Sequence, residues 1–243
     1  NVTVFDHPIW RDVTTACNST KRLLKIAKDV KKHVHVLHIS TADEIELIRK
    51  FKDIASCEVT PQHLFFTSPE CYERLGSLAQ MNPPIRDKYH NEGLWKGIQN
   101  KTVDVIGSDH APHTLEQKQK SYPKSPSGMT GVQTLLPIML NFVNQKKISL
   151  AHLVKLTSEN PCKIYKIKNK GFIKEGFDAD LTIVDLKKEF VITNNWIASK
   201  CGWTPYDQIK IKGIPTSTIV KGNLVMRENE VISHPKGSRV LFS

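Results

Sequence analysis

Two short apolar strands, each ending in a side chain able to bind a metal, constrain this chain more than any other feature. In Val103-Asp104-Val105-Ile106-Gly107-Ser108-Asp109 the two-residue period of a strand puts Val103, Val105, Gly107 and Asp109 on one face, so Asp109 closes an inward-facing row. In His33-Val34-His35-Val36-Leu37-His38-Ile39-Ser40 the same parity groups Val34, Val36 and His38, with His38 at the C-terminal end. A carboxylate in such a place needs a partner, because burying it unpaired costs more than a strand end can repay. A helix cap, an ion pair or a metal would each supply one for Asp109. His33 and His35 fall on the opposite parity and read as packing or surface residues. A third strand, Cys57 to His63, ends in another histidine; Pro61 disturbs its alternation, and His63 reads as a structural histidine.

Helical patterns separate these strands. Ser19 can cap a helix over residues 20–32, where Leu23, Leu24, Ile26, Ala27 and Val30 recur at helical spacing. Thr41 and Glu44 form a capping-box pattern for a helix running to Phe51, and a short helix is expected near Leu94 to Ile98. The resulting β-α-β-α order predicts a parallel sheet closed or layered by helices. Parallel strands of a β/α barrel present functional side chains from their C-terminal ends, and imidazole and carboxylate there suit Zn²⁺. Ser149 can cap Leu150 to Thr157, and Asn160-Pro161 starts another short helix.

From Gly171 the texture becomes all-β: turn then strand through Asp185, and a hairpin from Thr218 to Met226 closed at Gly222-Asn223. The predicted domains are therefore residues 1–170 and 171–243. A chain of 243 residues, 39% hydrophobic, can bury a sizeable core. Its net charge of +11 comes from lysines spread along the whole chain, with no basic block interleaved with aromatics, which argues against nucleic acid as a partner. Five cysteines, odd in number and without a Cys-x-x-Cys pair, indicate reduced thiols and a cytoplasmic setting. No stretch has the length of a membrane span, so no membrane partner is expected. The chain begins at Asn1 without a Met, which leaves room for an upstream segment.

The runs His38-Ile39-Ser40-Thr41, Thr60-Pro61-Gln62-His63-Leu64, Met81-Asn82-Pro83-Pro84-Ile85-Arg86, Asp109-His110-Ala111-Pro112-His113 and Gly171 to Asp185 resemble, in this order, the second half of a dihydroorotase of the amidohydrolase superfamily. That resemblance implies the last strands of a (β/α)₈ TIM-like metallohydrolase barrel, plus part of a small β-sandwich domain. It implies His38 and Asp109 as metal ligands, with Asp109 also moving the proton. Asn82 and His113 would hold the ring and carboxylate of the substrate, and the backbone of Ser127 and Gly128 would touch the ring. Zinc is the implied cofactor, with two ions in the complete protein, and the implied small-molecule substrates are dihydroorotate and N-carbamoyl-L-aspartate in pyrimidine synthesis. A homodimer is compatible with this reading. The family usually has His-His where this chain has Gln62-His63.

Hydrolysis of a cyclic amide needs a nucleophile at neutral pH and a proton for the departing nitrogen. A divalent cation lowers the pKa of its water to about 7, and a ligating aspartate can carry the proton. The family's first-strand His-x-His pair, its substrate arginine, its bridging acid or carboxylated lysine and its fifth-strand histidine have no counterpart here. His33 and His35 only imitate the spacing. The expectation is therefore the C-terminal part of a larger polypeptide. The alternatives are another cyclic amidase (dihydropyrimidinase, hydantoinase or allantoinase) or a catalytically silent scaffold. The segment from Thr114 to Gly128, rich in Lys, Ser and Pro, is a candidate mobile lid.

Overall fold

The structure is a computed structural model that describes residues 2–234 and 237–243. Its ten α-helices among the described residues are α1 (His7–Trp10), α2 (Val13–Asp29), α3 (Ala42–Arg49), α4 (Pro61–Phe65), α5 (Glu70–Leu75), α6 (Lys88–Gln99), α7 (Leu115–Lys118), α8 (Leu135–Asn144), α9 (Leu150–Val154) and α10 (Asn160–Ile164). A parallel sheet joins β1 (Val34–Val36), β2 (Ala55–Val59) and β3 (Val105–Ile106) in that order. A separate antiparallel sheet joins β4 (Leu181–Val191), β5 (Lys210–Val220), β6 (Asn223–Arg227) and β7 (Glu230–Val231). The chain is thus α/β, as the alternation predicts. It divides into one unit of residues 1–135 and 193–208 and a second of residues 136–192 and 209–243. No helix among the described residues is long and apolar enough to cross a membrane.

In the first unit, β1 aligns Val34 with Ala55 and Val36 with Cys57, while β2 aligns Glu58 with Val105 and Val59 with Ile106. Val36, Cys57, Val59 and Ile106 are buried, each lost to solvent by at least nine-tenths. Helix α3 starts where expected, Thr41 Oγ1 accepting from the Glu44 amide at 3.1 Å. The Glu44 carboxylate is itself buried and takes the hydroxyls of Thr41 (2.8 Å) and Thr20 (2.7 Å), so its burial is compensated. Helix α2 begins at Val13, earlier than the apolar spacing indicates, because Asp12 accepts from the Thr15 amide at 2.7 Å. His63 lies in a helix and not at a strand end. Thr60-Pro61 starts α4, with Thr60 Oγ1 capping the His63 amide at 3.3 Å and Pro at the first helical position.

Helices α3 and α6 touch with their backbones. A Cβ on Gly93 would lie 2.3 Å from the Ala42 Cβ and 2.8 Å from its Cα. Residues 193–208 return to this unit with Trp203 and Tyr206 fully buried, and the Tyr206 ring stacks on Phe66 at 5.1 Å between centroids.

In the second unit, β5 is fastened to α8. The Lys212 amide donates to Asn141 Oδ1 (3.1 Å), its carbonyl accepts from Asn144 Nδ2 (2.8 Å), and a Cβ on Gly213 would meet the Leu140 Cβ at 2.9 Å. The β5–β6 hairpin closes at Lys221-Gly222, one residue earlier than the sequence indicates, with φ of 49° and 78° at the two turn residues. Two left-handed residues in a two-residue turn match the right-handed twist of the strands, and the Lys221 amide is held by Asp180 Oδ1 at 2.7 Å.

Gly93→Ala should destabilise the protein by roughly 1–3 kcal/mol, although alanine is the better helix former, because the added methyl overlaps the α3 backbone. Urea unfolding of both forms checks this, and an unchanged midpoint would show that α3 and α6 separate freely.

Candidate active site

The candidate ligands both sit where a strand breaks its alternation. His38 has φ 36° and Asp109 φ 41°, left-handed values that cost a non-glycine residue on the order of 1 kcal/mol or more. One face of the parallel sheet can be traced through contacts. His35 Nδ1 pairs with Ser56 Oγ at 2.8 Å, His35 Nε2 with Glu58 Oε2 at 3.4 Å, and a Cβ on Gly107 would fall 2.4 Å from Glu58 Oε1. His35, Ser56, Glu58 and Gly107 thus share a face, and Asp109 follows Gly107 by two residues. Val36 belongs to the opposite, buried face, so strict alternation would carry His38 away from Asp109. The left-handed turn at His38 lifts it out of that register.

Burial pushes the Asp109 carboxyl above its ordinary value, the His38 ring draws it back down, and the Glu58 carboxylate pushes it up again. No protein hydrogen bond contributes to that shift. A half-buried carboxylate with a neighbouring imidazole and no hydrogen-bond donor among the described residues is a donor set that a divalent cation accepts. Among the described residues no group of three or more His, Cys, Asp or Glu side chains is placed to hold a metal. The chain therefore offers two donors where a closed zinc site takes three or four.

His63 links this rim to Asn82. Its Nε2 meets the Pro83 carbonyl at 3.1 Å and its Nδ1 meets Thr60 Oγ1 at 2.8 Å. Burial is the main cause that pushes its pKa down to about 4, with the His38 ring adding to the effect. Asn82 itself is exposed and lies beside His7, whose Nε2 meets the Met81 carbonyl at 2.9 Å.

His113, Ser127 and Gly128 are brought together directly. His113 Nε2 donates to the Ser127 carbonyl at 3.2 Å, leaving Nδ1 as the acceptor. The Gly128 amide donates to the Gln80 carbonyl at 2.9 Å, and Gln80 Nε2 donates to Ser127 Oγ at 3.2 Å, so this group also touches the strand of chain leading to Asn82. Gly128 has φ 142°, and a Cβ there would sit 2.5 Å from the Ala111 carbonyl. His110, next to Asp109, serves the backbone: its Nδ1 accepts from the amides of Gly131 (3.1 Å) and Val132 (3.4 Å).

Four further residues take part. Gln62 Nε2 holds the Ser108 carbonyl at 3.0 Å, immediately before Asp109. Glu58 acts on Asp109, a role the alternation of Ser56, Glu58 and Gly107 could have disclosed. Lys118 and Ser125 are buried within the segment from Thr114 to Gly128.

A family model described as "Amidohydrolase family" matches residues 12–225. The chain is 40% identical over 222 residues to the dihydroorotase of Pyrococcus horikoshii, covering 91% of this chain and 51% of that protein. It is 40% identical over 219 residues to the dihydroorotase of Methanosphaera stadtmanae, covering 89% and 50%. Among solved structures, the L-hydantoinase (dihydropyrimidinase) of Arthrobacter aurescens superposes with a TM-score of 0.85 at 34% identity, covering 89% of this chain and 50% of that one. A dihydropyrimidinase from Brevibacillus agri gives a TM-score of 0.88 at 23% identity, a likeness of fold, over 96% and 53%. The chain belongs to the amidohydrolase family. Within it the chain resembles the dihydroorotases, and it spans about half the length of the curated relatives it matches.

An imidazole whose pKa falls from 6.5 to about 4 on folding favours the native state above pH 6.5, and that contribution is lost as the pH drops through 4. The loss amounts to roughly 3 kcal/mol. Unfolding midpoints at pH 7.5 and 4.5 should show it, with a shallower decline in His63→Gln; equal declines would assign the acid sensitivity elsewhere.

Proposed function

We propose that the full-length protein containing this chain is a metal-dependent dihydroorotase that interconverts dihydroorotate and N-carbamoyl-L-aspartate in pyrimidine biosynthesis. The observation that carries the reading is that His38 and Asp109 both lie just beyond the C-terminal end of the parallel sheet, next to the bonds that Ile39 and Gly107 make to β2, in a chain 40% identical to dihydroorotases. Residues 1–170 form the C-terminal portion of a (β/α)₈ barrel and residues 171–243 the last strands of a small β-sandwich domain, both completed by chain outside this segment. Free thiols at all five cysteines fit a cytoplasmic setting.

His38 and Asp109 would hold zinc, one of two ions in the complete protein. When bound, the cation acidifies water and polarises the amide carbonyl. Asp109 would receive the proton of the attacking water on its carboxylate and return it to the departing ring nitrogen. Asn82 and His113 take the substrate's ring and carboxylate, and the Ser127-Gly128 backbone lies against the ring. Because the Nε2 proton of His113 is committed to Ser127, its Nδ1 can donate to a carboxylate only from the protonated ring.

The second reading is a hydantoinase or dihydropyrimidinase, favoured by the 34% identity and TM-score of 0.85 with the Arthrobacter enzyme. Metal analysis and turnover of dihydroorotate, dihydrouracil and hydantoin by the full-length protein separate the two. Asp109→Ala should lose bound zinc and lower dihydroorotate turnover by about a thousandfold or more. Turnover of hydantoin but not dihydroorotate would establish the second reading, and an Asp109→Ala protein as active as wild type would remove Asp109 from the chemistry.

A further inference from the structure

The loop that carries Ser127 and Gly128 is fixed at its root by a lysine with no acid beside it. Lys118 ends α7 and is completely buried. Its Nζ donates to the carbonyls of Gln80 and Pro126, both at 2.8 Å, and lies 5.8 Å from the centre of the Trp203 ring. Its own carbonyl accepts from the hydroxyls of Ser77 (2.6 Å) and Ser125 (3.0 Å). Burial pushes its pKa down to about 7, and its charge in turn helps to push the nearby His7 ring down. A leucine or methionine would fill such a space at far lower desolvation cost, so the amine persists for what its donors reach.

What they reach are the two sides of the candidate substrate pocket. The Gln80 carbonyl receives both Lys118 Nζ and the Gly128 amide, the latter at 2.9 Å, and Gln80 precedes Asn82 by two residues. The Pro126 carbonyl, the second acceptor of Nζ, adjoins Ser127. Trp203, under the amine, donates from Nε1 to the His113 carbonyl at 2.8 Å. One nitrogen thus ties residues 80–82 to residues 126–128 and rests on the ring that holds His113.

We propose that Lys118 is a positioning residue for substrate binding, holding the Asn82 segment and the Ser127-Gly128 segment at a fixed separation before the ligand arrives. The inference rests on the reading of Asn82, His113, Ser127 and Gly128 as substrate-holding residues. A pocket set in advance spares the ligand the entropy of ordering two loops, so loosening it weakens binding more than chemistry.

The test compares full-length wild type with Lys118→Met, which keeps the side chain's length and removes its donors. Dihydroorotate kinetics and amide hydrogen exchange over residues 78–82 and 125–129 are the two readouts. The expected result is a KM raised about tenfold with kcat within about threefold, together with faster exchange in both segments. Unchanged KM and exchange would overturn the proposal, as would a loss confined to kcat. Should wild type fail to turn over dihydroorotate, the functional reading falls, and exchange alone then upholds or overturns the tie. If Lys118→Met does not fold, Ser125→Ala removes one donor to the Lys118 carbonyl. It should move KM and exchange in the same direction by a smaller factor, and no movement would overturn the proposal.

Discussion

Two successive carbonyls at the end of β2 govern the geometry of the site. The Glu58 carbonyl accepts from the Ile39 amide at 2.9 Å, and the Val59 carbonyl accepts from the Gly107 amide at 3.0 Å. Neighbouring carbonyls of a strand point to opposite sides, so β2 grips β1 with one and β3 with the other at almost the same height. His38 stands directly before the first of these bonds and Asp109 two residues beyond the second. The level shared by the two candidate ligands is therefore a property of backbone pairing, set before any side chain acts. Parallel pairing also buries Cys57 and Val59 among the helices, which leaves the Ser56–Glu58 face for polar groups. Cys57 and Cys71, their thiols pushed up to about 12 by burial, belong to the packing and not to the chemistry.

The fold class was legible because it depends on signals that act locally: apolar runs of two periods and the Thr, Ser and Asp residues that cap helices. Thr41 and Ser149 begin helices where their side chains permit, whereas Asn160-Pro161 starts none of its own: α9 runs on through a π-helical turn at Lys155–Glu159 into α10. His38 follows β1 by two residues, but period counting assigns it a parity that the backbone, left-handed there, does not keep. A left-handed residue is invisible to period counting, because nothing in a histidine announces φ 36°. Period counting misplaces His63 for the opposite reason, since the Thr60-Pro61 pair that disturbs a strand is also a sound helix start. Lys118 could not have been found at all. It is one of 35 basic residues in a lysine-rich chain, and its partners are main-chain carbonyls brought in from distant segments. Side-chain identity carries no record of where a carbonyl will be.

Gln62 shows how a departure from the family pattern can keep the physics intact. The resemblance to dihydroorotases implies histidine at this position, and the change would be a loss if the imidazole served as a ligand or base. Here the Gln62 amide donates to the Ser108 carbonyl at 3.0 Å, and a Cβ on Gly131 would stand 2.2 Å from that same oxygen. The peptide preceding Asp109 is thus held by a donor on one side and confined by bare backbone on the other. Fixing that peptide is what lets Asp109 keep its left-handed conformation, since strain persists only where the surroundings over-determine it. A neutral imidazole N–H could make the same bond, and glutamine supplies an equivalent N–H from a longer arm. The exchange has a cost, for Gln62 Oε1 is buried with no hydrogen-bond partner among the described residues, a loss of about 1–3 kcal/mol. A donor kept at that expense points to the Ser108 carbonyl, and through it the aim of Asp109, as the feature this position maintains.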